Sequence, residues 1–187
     1  MNNPSLGENI RRIRKEKHYT IEMIADKTGL TASFISQFER SLTDGSVATI
    51  KKIADALDLP VSALFSDNEA DPHIIEDVSI VRKDRRKKMP YPDGKLTDYM
   101  LTTGEGKLQV LLCEVEPGGC SGSKYHHAGD EECIIILEGQ MEITVDTNTY
   151  ILNIGDTINF PSHKPHAWRN IGKETLKVIW IITPTGF

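Results

Sequence analysis

The chain has few cysteines, and their placement does not favour cross-linking. Three occur in 187 residues, Cys113, Cys120 and Cys133, an odd number at wide spacing. This pattern excludes both the even-numbered disulfide framework of small secreted proteins and the CxxC pairs of a zinc ribbon. We expect reduced, partly buried thiols. A redox-sensing role would require surroundings that favour the thiolate, which the sequence does not show.

Long apolar runs are also absent. The longest, CIIIL and VIWII, are far shorter than the roughly 20 residues that cross a bilayer. The opening stretch MNNPSLGENIRRIRK lacks the apolar centre of a signal peptide. We therefore expect a soluble, cytoplasmic protein with no membrane partner.

An excess of positive charge is missing as well. The net charge is −5; residues 1–66 hold nine Lys/Arg and eight Asp/Glu, and residues 67–187 hold thirteen and nineteen. Such a chain does not coat nucleic acid indiscriminately, so any binding to DNA requires a localised basic surface. The length is sufficient for two compact units.

The first unit begins with a helix. Ser5 and Glu8 form a capping-box pair ahead of apolar residues at 6, 10 and 13, which predicts one buried helical face. The other faces carry a set of basic residues: Arg11, Arg12, Arg14, Lys15 and Lys17. We interpret these side chains as facing solvent. The alternative is that they contact phosphates.

The next stretch, TIEMIADKTGLTASFISQFER, predicts two short helices. Thr20 caps the first, Gly29 ends it and Thr31 caps the second, which is the pattern of a helix-turn-helix. The buried contacts are expected from Ile24, Ala25, Leu30, Ile35 and Phe38. The second helix then presents Ser33, Ser36, Gln37 and Arg40. Short polar side chains near a helix N-terminus suit phosphates and base edges.

Two further helices complete the predicted unit. Ser46 caps VATIKKIADAL, and PVSALF adds a last turn, so that residues 1–66 are expected to form a five-helix bundle. Residues 5–65 resemble the XRE-type, or lambda-repressor-like, helix-turn-helix domain in helix order, loop lengths and the run SFISQFERS. In two places the chain departs from the family pattern: Ser41 stands at the usual glycine, and Asp44 and Gly45 replace the usual asparagine and proline.

The resemblance implies a double-stranded DNA operator as partner. It places Thr31, Ser33, Ser36, Gln37 and Arg40 near the major groove, and Thr20 near a phosphate. A helical bundle used only for protein contacts is the alternative, because a fold alone does not establish a function.

A polar, acidic stretch separates the two units. SDNEADPHIIED contains a proline and few apolar residues, so residues 67–77 are interpreted as a linker. The basic run RKDRRKK at 82–88 follows the strand-like VSIV. We interpret it as a solvated edge of the second unit rather than a nucleic-acid site.

The second unit, residues 78–187, has the pattern of an all-β domain. Short β-rich runs follow one another from Leu108 onward: LQVLLCEV, CIIIL, MEITV, TYIL, TINF, AWRN and LKVIWII. Gly139, DTN at 146–148, Gly155, PSHKP and GKE mark turns between them. This spacing predicts a sandwich or small barrel, and the whole chain a multidomain α + β protein.

Within this unit, KYHHAGDEECIIILEG at 124–139 resembles the first cupin motif. Glu132 and Gly139 fit its spacing and His127 falls within its range, but Tyr125 takes the place of the first histidine. The second cupin motif is carried by Gly155, Pro161, His166 and Asn170, with His163 at the usual glycine. The resemblance implies a cupin fold, a double-stranded β-helix or jelly roll.

The cupin resemblance also implies a divalent transition metal, zinc, iron or nickel, on His127, Glu132 and His166. Tyr125 or His126 would be a fourth donor. The alternative is a metal-free pocket that binds a metabolite through hydrogen bonds. The predicted effector pocket consists of Tyr125, His126, His163, Ile134, Ile136 and Trp168.

The terminal TPTGF resembles the end of the regulators that fuse a helix-turn-helix to a cupin, including the putrescine-utilisation repressor type. The resemblance implies a sequence-specific transcriptional repressor, homodimeric through its cupin domain, that senses a small-molecule effector and is not an enzyme. A metal-dependent cupin enzyme with an accessory DNA-binding domain is the alternative.

Overall fold

The computed structural model describes residues 4–65, 73–75, 78–103 and 106–184. Two compact units divide the chain, Met1–Ser66 and Asp67–Phe187. Apart from the backbone of 73–75, the predicted linker at 67–77 lies outside the described residues. Within the described ranges, every helix is too short or too polar to cross a membrane.

The first unit consists of four α-helices and one turn of 3₁₀ helix. The α-helices are α1, Leu6–Glu16; α2, Ile21–Thr28; α3, Ala32–Glu39; and α4, Val47–Ala56. The prediction of a fifth α-helix is wrong, because Val61–Leu64 forms a single turn of 3₁₀ helix. The segment follows Pro60 and has no side-chain cap, and four residues are too few for a stable α-helix.

The predicted helix caps are confirmed. Ser5 Oγ accepts from the Glu8 amide and a Glu8 carboxylate oxygen accepts from the Ser5 amide, which completes the capping box of α1. Thr20, Thr31 and Ser46 accept backbone N–H bonds at the starts of α2, α3 and α4. These bonds satisfy donors that a helix N-terminus leaves without an intrahelical partner.

Close packing joins α1 to α3. Ile10, Ile24, Ile35 and Phe38 are almost fully buried in the core of the unit. Gly7 lies where a Cβ atom would come within 2.2 Å of the Phe38 carbonyl oxygen. The position therefore requires glycine because the α3 backbone occupies the space of a side chain.

Arg14 corrects the interpretation of the basic residues on α1. It is buried, with Nε 2.5 Å and Nη2 2.8 Å from the two carboxylate oxygens of Glu39 on α3, and Nη1 2.8 Å from the Tyr19 carbonyl. Arg14 follows Ile10 by four residues, so it lies on the apolar face of the helix. The prediction that it faces solvent is wrong; Arg11, Arg12 and Lys15 are exposed as expected.

The second unit is built of antiparallel strands. They are β1, His73–Ile75; β2, Val78–Ile80; β3, Lys88–Pro90; β4, Leu96–Met100; β5, Gln109–Val115; β6, Glu131–Glu138; β7, Met141–Val145; β8, Asn148–Leu152; β9, Thr157–Pro161; β10, His166–Asn170; and β11, Leu176–Thr183. The strands predicted from Leu108 onward correspond to β5 to β11. A turn of 3₁₀ helix, Lys83–Arg85, precedes β3.

Two sheets enclose the core of the second unit. One has six strands in the order β3-β4-β5-β11-β6-β9, and the other has three in the order β10-β7-β8. Buried side chains alternate with more exposed ones along β5 and β11, as expected for strands with one face in a core. Trp168 on β10 and Trp180 on β11 meet across the core, with ring centroids 6.1 Å apart. This sandwich fits the predicted cupin fold.

The basic run at 82–88 precedes and enters the edge of the six-stranded sheet. Arg82, Lys83, Arg85 and Lys88 are exposed, while Met89 is fully buried and anchors β3. The exposure agrees with the interpretation of this run as a solvated edge.

Candidate nucleic-acid interface and metal centre

The helix pair α2 and α3 presents a polar face opposite its buried residues. On α3 and at its ends, Thr31, Ser33, Gln37 and Arg40 are exposed and Ser36 is half-buried. Positions 33, 37 and 40 follow the helical repeat, so they share one face, while Ile35 and Phe38 point into the core. The structure thus brings together the predicted DNA-contacting residues of this helix.

Two side chains on this face form hydrogen bonds with residues one helical turn earlier. Gln37 Nε2 lies 3.4 Å from Ser33 Oγ, and Arg40 Nε donates to the Ser36 carbonyl across 3.0 Å. A glutamine amide offers a donor and an acceptor together, which matches the edge of adenine in the major groove. Arg40 keeps other guanidinium N–H groups for phosphate or guanine.

The two threonines at the helix starts differ in the hydrogen bonds that they can still donate. Thr20 and Thr31 accept from the amides of Met23 and Phe34 through their hydroxyl oxygens. Both threonines are exposed. The Thr31 hydroxyl can still donate its own hydrogen, for example to a phosphate. The pKa of Glu22, by contrast, is lowered by its own backbone N–H and by the Thr20 hydroxyl, which donates to the Glu22 carboxylate. The positive ends of the α2 and α3 dipoles favour an anion at these positions.

Ser41 follows Arg40, the C-cap of α3, and is one of the positions at which the chain departs from the family pattern. Its φ angle is +55°, a left-handed conformation that glycine adopts without a Cβ clash. Its hydroxyl lies 2.8 Å from that of Ser5 at the start of α1. The backbone at this serine therefore has a conformation that glycine adopts without strain.

In the β unit, a chain segment beside β10 brings Tyr125 and His127 into the core. Tyr125 and His166 exchange backbone hydrogen bonds of 3.0 and 2.8 Å, and the His127 amide donates to the Ser162 carbonyl. Because side chains alternate along extended backbone, Tyr125 and His127 are buried and His126 is exposed.

The three predicted metal ligands converge. His127 Nε2 and His166 Nε2 each lie 3.8 Å from the same carboxylate oxygen of Glu132. One ligand atom from each residue lies within 4.8 Å of the others, and the side chains are essentially inaccessible to solvent. Glu132 is in β6 of one sheet and His166 in β10 of the other, so the group spans the core.

His166 is in a state suited to a metal. Its Nδ1 lies 3.0 Å from the Lys164 carbonyl, which can only accept, so Nδ1 carries the proton and Nε2 has the lone pair. Burial lowers the pKa of His166 from 6.5 to about 4, so the ring is neutral at physiological pH. Among the described residues, Nε2 has no hydrogen-bond partner.

Trp180 supports the carboxylate of the group. Its indole Nε1 donates to Glu132 Oε2 across 2.7 Å. Such a bond from outside the ligand set fixes the orientation of a ligand. Two imidazoles and a carboxylate, buried together, fit a divalent transition metal by donor type, spacing and charge.

Tyr125 occupies the position of the missing histidine. Its ring centroid lies 4.4 Å from that of His166 and 5.2 Å from that of His127. Trp168 Nε1 donates to its hydroxyl across 3.0 Å. Burial and the charge of Glu132 raise the pKa of Tyr125 well above 10.0, so the phenol stays protonated.

The predicted effector-pocket residues divide into two groups. Tyr125, Ile134, Ile136 and Trp168 are buried in the same core as the three candidate metal ligands. His126 and His163 are exposed, and the structure does not bring them to this group. His163 lies in the turn between β9 and β10, where no strand directs it inward.

Two neighbours of the group were not predicted. Trp180 bonds to Glu132, and the Phe160 ring lies 5.1 Å from the His166 ring. Both occupy inward positions of strands that we did predict: Trp180 lies two residues before the buried Ile182, and Phe160 is the buried residue of β9. The alternation of inward and outward side chains along these strands was therefore the available signal.

Each of the two units matches a known protein family. Residues 10–64 match the helix-turn-helix family, and residues 111–182 match the cupin domain family. The chain therefore contains a helix-turn-helix domain followed by a cupin domain. It is homologous to two proteins of Escherichia coli strain K12 that are named HTH-type transcriptional regulators, SutR and PuuR.

The relation to these proteins extends over the whole chain. Identity to SutR is 25% over 171 residues, covering 91% of this chain and 90% of SutR. Identity to PuuR is 24% over 183 residues, covering 97% of this chain and 96% of PuuR. Both alignments thus span the two matched domains of this chain.

Two solved structures share the fold. A helix-turn-helix family transcriptional regulator from Vibrio cholerae has a TM-score of 0.68 at 20% identity, covering 96% of this chain and 95% of that chain. The Fe(II) form of HppE has a TM-score of 0.51 at 21% identity, covering 95% and 97%. At these identities the likeness concerns the fold alone.

Proposed function

We propose that the chain is a sequence-specific DNA-binding transcriptional regulator, a repressor, whose cupin domain senses a small-molecule effector. The observation that carries this proposal is the exposed polar face of α3, in a chain homologous along its length to SutR and PuuR. The α3 face supplies the chemistry for reading bases, and the cupin core supplies a polar site for a ligand.

Reading DNA requires both base contacts and phosphate contacts. In the proposed complex, Ser33, Gln37 and Arg40 contact base edges, while Thr20 and Thr31 contact phosphates. The exposed lysine and arginine side chains of α1 add charge for the backbone, although the chain as a whole is acidic. The attraction to DNA is therefore local.

One recognition helix contacts too few bases to select an operator. We therefore propose a homodimer, paired through the cupin domain, that binds a two-fold related site. Half-sites about 34 Å apart, one turn of the duplex, fit the two recognition helices of such a dimer. Closed two-fold dimers are the commonest assembly of soluble proteins.

The proposed cupin centre binds a divalent transition metal, zinc, iron or nickel, through His127, Glu132 and His166. The neutral His166 ring and the buried carboxylate support this assignment. A metal held by three protein ligands supplies open coordination positions for an oxygen or nitrogen of an effector. Tyr125, as a protonated phenol bonded by Trp168, leaves those positions to the effector.

A second candidate function is a metal-dependent cupin enzyme with an accessory DNA-binding domain. The observation that favours it is the buried group of two histidines and a glutamate in a chain that shares its fold with Fe(II) HppE. The regulator is preferred because it accounts for both units and for the homology to SutR and PuuR.

The experiment that tests the proposal is selection of DNA from a random duplex library by the purified full chain. We expect enrichment of one motif with two-fold symmetry. A variant with Ser33, Gln37 and Arg40 all changed to alanine is the control, and it should enrich no motif. Failure of the natural sequence to enrich any motif, at ionic strengths from low to physiological, would contradict the proposal.

A further inference from the structure

A groove opens in the β unit where its two sheets fail to join. The strands β8 and β9 follow each other in the chain, but each is the last strand of a different sheet. Hydrogen bonds connect β8 to β7 and β9 to β6, so among the described strands each has a neighbour on one side only. The sandwich is therefore open along this edge.

The groove has the size and lining of a small-molecule site. Its volume is about 420 Å³, within the range of ligand pockets. Val145, Leu152 and Phe160 form a buried apolar floor, and Tyr150 stands partly exposed at the side. The remaining lining combines the polar side chains of Asn148, Thr157, Asn159 and Lys164 with Ile158 and Pro161. An apolar chain fits the floor, and a polar group fits the rim.

The charge at the rim indicates a ligand with a single negative charge. Lys164 is half-buried and forms no ion pair with any residue that the structure describes. Asn159, which also lines the groove, donates to the Glu131 carboxylate across 3.0 Å. Lys164 is the one charged side chain among the described residues of the lining, so it matches the single charge of a carboxylate better than the two charges of a phosphate.

Two groove residues also support His166. The Lys164 carbonyl accepts from His166 Nδ1, and the Phe160 ring packs against the His166 ring with centroids 5.1 Å apart. Movement of either residue on ligand binding changes the surroundings of His166. The groove is outside the predicted effector pocket, yet it adjoins the candidate metal centre through these two residues.

We propose that this groove is a second ligand site of the cupin domain, which takes a small monocarboxylate with an apolar chain and transmits its binding to His166 through Phe160 and Lys164. Its regulatory meaning rests on the proposed sensing function. Binding in the groove is a separate property and is measured without DNA.

The probe is hexanoate, and its neutral counterpart hexanamide separates the contribution of charge from that of the apolar chain. Nuclear magnetic resonance of the isotope-labelled full chain reports the site. We expect saturable shifts of the backbone amides of Tyr150 and Asn159 and of the His166 ring with hexanoate. Hexanamide should shift the same amides with weaker affinity.

Variants test the role of the lysine. Lys164→Met keeps the apolar stem, so it should weaken hexanoate about two- to five-fold, the range for a partly exposed charge pair, and leave hexanamide unchanged. Lys173→Met, at an exposed lysine in a turn elsewhere in the unit, is the matched control and should change neither. Tyr150→Ser removes part of the groove side and should weaken both probes.

Several results would overturn the groove proposal. These are the absence of saturable shifts up to tens of millimolar hexanoate, shifts confined to residues outside the groove, and an equal effect of Lys164→Met on both probes. Shifts of the groove amides with protein concentration alone would mark an interface between copies of the chain instead. Groove binding that leaves operator affinity unchanged would contradict the regulatory role of the groove, but neither the ligand site nor effector sensing at the core centre.

Discussion

Trp180 donates its indole N–H to Glu132 Oε2 across 2.7 Å, from a position outside the candidate ligand set. This bond holds the carboxylate in the orientation in which both imidazoles lie 3.8 Å from one oxygen. Loss of such a supporting bond typically lowers metal affinity about 10- to 100-fold. The indole therefore gives a test of the metal centre that leaves every ligand in place.

We expect Trp180→Phe to lower the affinity for zinc by this factor while the fold is kept, because phenylalanine fills most of the indole volume. Competition with a chromophoric chelator measures the affinity. Trp168→Phe is the matched control, since its indole bonds to Tyr125 and not to a ligand. Equal zinc affinity in both variants and the natural chain would contradict the supporting role of Trp180.

Asp98 gives a prediction about pH. It is buried opposite Cys113 on the neighbouring strand, and burial raises its pKa from 3.8 to about 6. Between pH 3.8 and about pH 6, Asp98 binds more protons in the folded state than in the unfolded state. The free energy of unfolding therefore decreases as the pH rises through this range. Above pH 6 the ionised carboxylate destabilises the β unit by about 3 kcal/mol, taking about 1.4 kcal/mol for each pKa unit.

We therefore expect Asp98→Asn to raise the unfolding free energy at pH 7 more than at pH 4, measured by urea denaturation across the pH range. The amide keeps the shape of the side chain and, like the protonated carboxyl group, offers one acceptor oxygen and a donor. Asp84→Asn, at an exposed position, should leave the pH profile unchanged. A difference between Asp98→Asn and the natural chain that is the same at both pH values would refute the raised pKa.

The buried pair of Arg14 and Glu39 gives a prediction about the helical unit. Two nitrogens of Arg14 bond to the two carboxylate oxygens, and Glu39 is the main cause that raises the pKa of Arg14. Glu39→Gln leaves the guanidinium without its counter-charge in the core. We expect a loss of about 3–5 kcal/mol of unfolding free energy, measured by denaturation.

An exposed ion pair on the same helix provides the comparison. Arg12 and Glu16 are paired across 2.9 Å, with side chains 58% and 60% exposed. Glu16→Gln should cost less than about 1 kcal/mol, because water screens the pair. Similar losses for the two variants would mean that the Arg14 pair is no more important than a surface contact.

Features that depend on neighbours in sequence could be predicted, and features that depend on distant partners could not. The caps at Ser5, Thr20 and Thr31 follow from residues three positions away, and all are present. The burial of Arg14 depends on Glu39, 25 residues further along, which helical periodicity does not identify. The shortened last helix is a local feature that the prediction missed, since Val61–Leu64 spans four residues and has no side-chain cap.

The β unit shows the same limit. The runs that became β5 to β11 were predictable from composition and turns, and motif spacing identified His127, Glu132 and His166. The groove was not predictable, because it arises where β8 and β9 belong to different sheets. Pairing of strands is set by the whole sandwich rather than by either strand.

Ser41 gives a fourth prediction. Its left-handed conformation strains a residue with a Cβ atom, and its hydroxyl contact with Ser5 is exposed. We expect Ser41→Gly to be more stable than Ser41→Ala by about 1 kcal/mol in thermal denaturation, because both lose the hydroxyl and only glycine relieves the strain. Equal stability of the two variants would show that no strain is present at this position.

The last prediction concerns the reading of DNA by α3. Gln37 is exposed and, among the residues that the structure describes, its amide reaches only Ser33, so it can pair with a base edge on binding. Gln37→Ala should weaken the selected operator by about 1–3 kcal/mol, with the loss concentrated at one base pair. Titration of the operator and of duplexes changed at each position, followed by fluorescence anisotropy, measures both the affinity and the base preference.

Arg12→Ala is the matched comparison, because Arg12 is exposed on α1 and offers charge without base-reading geometry. It should weaken all duplexes alike and reduce the slope of log affinity against log salt by about one, as expected for one lost phosphate contact. A Gln37→Ala protein that kept the affinity and base preference of the natural chain would refute the assignment of α3 as the recognition helix. A uniform loss over all duplexes would instead place Gln37 against the phosphate backbone.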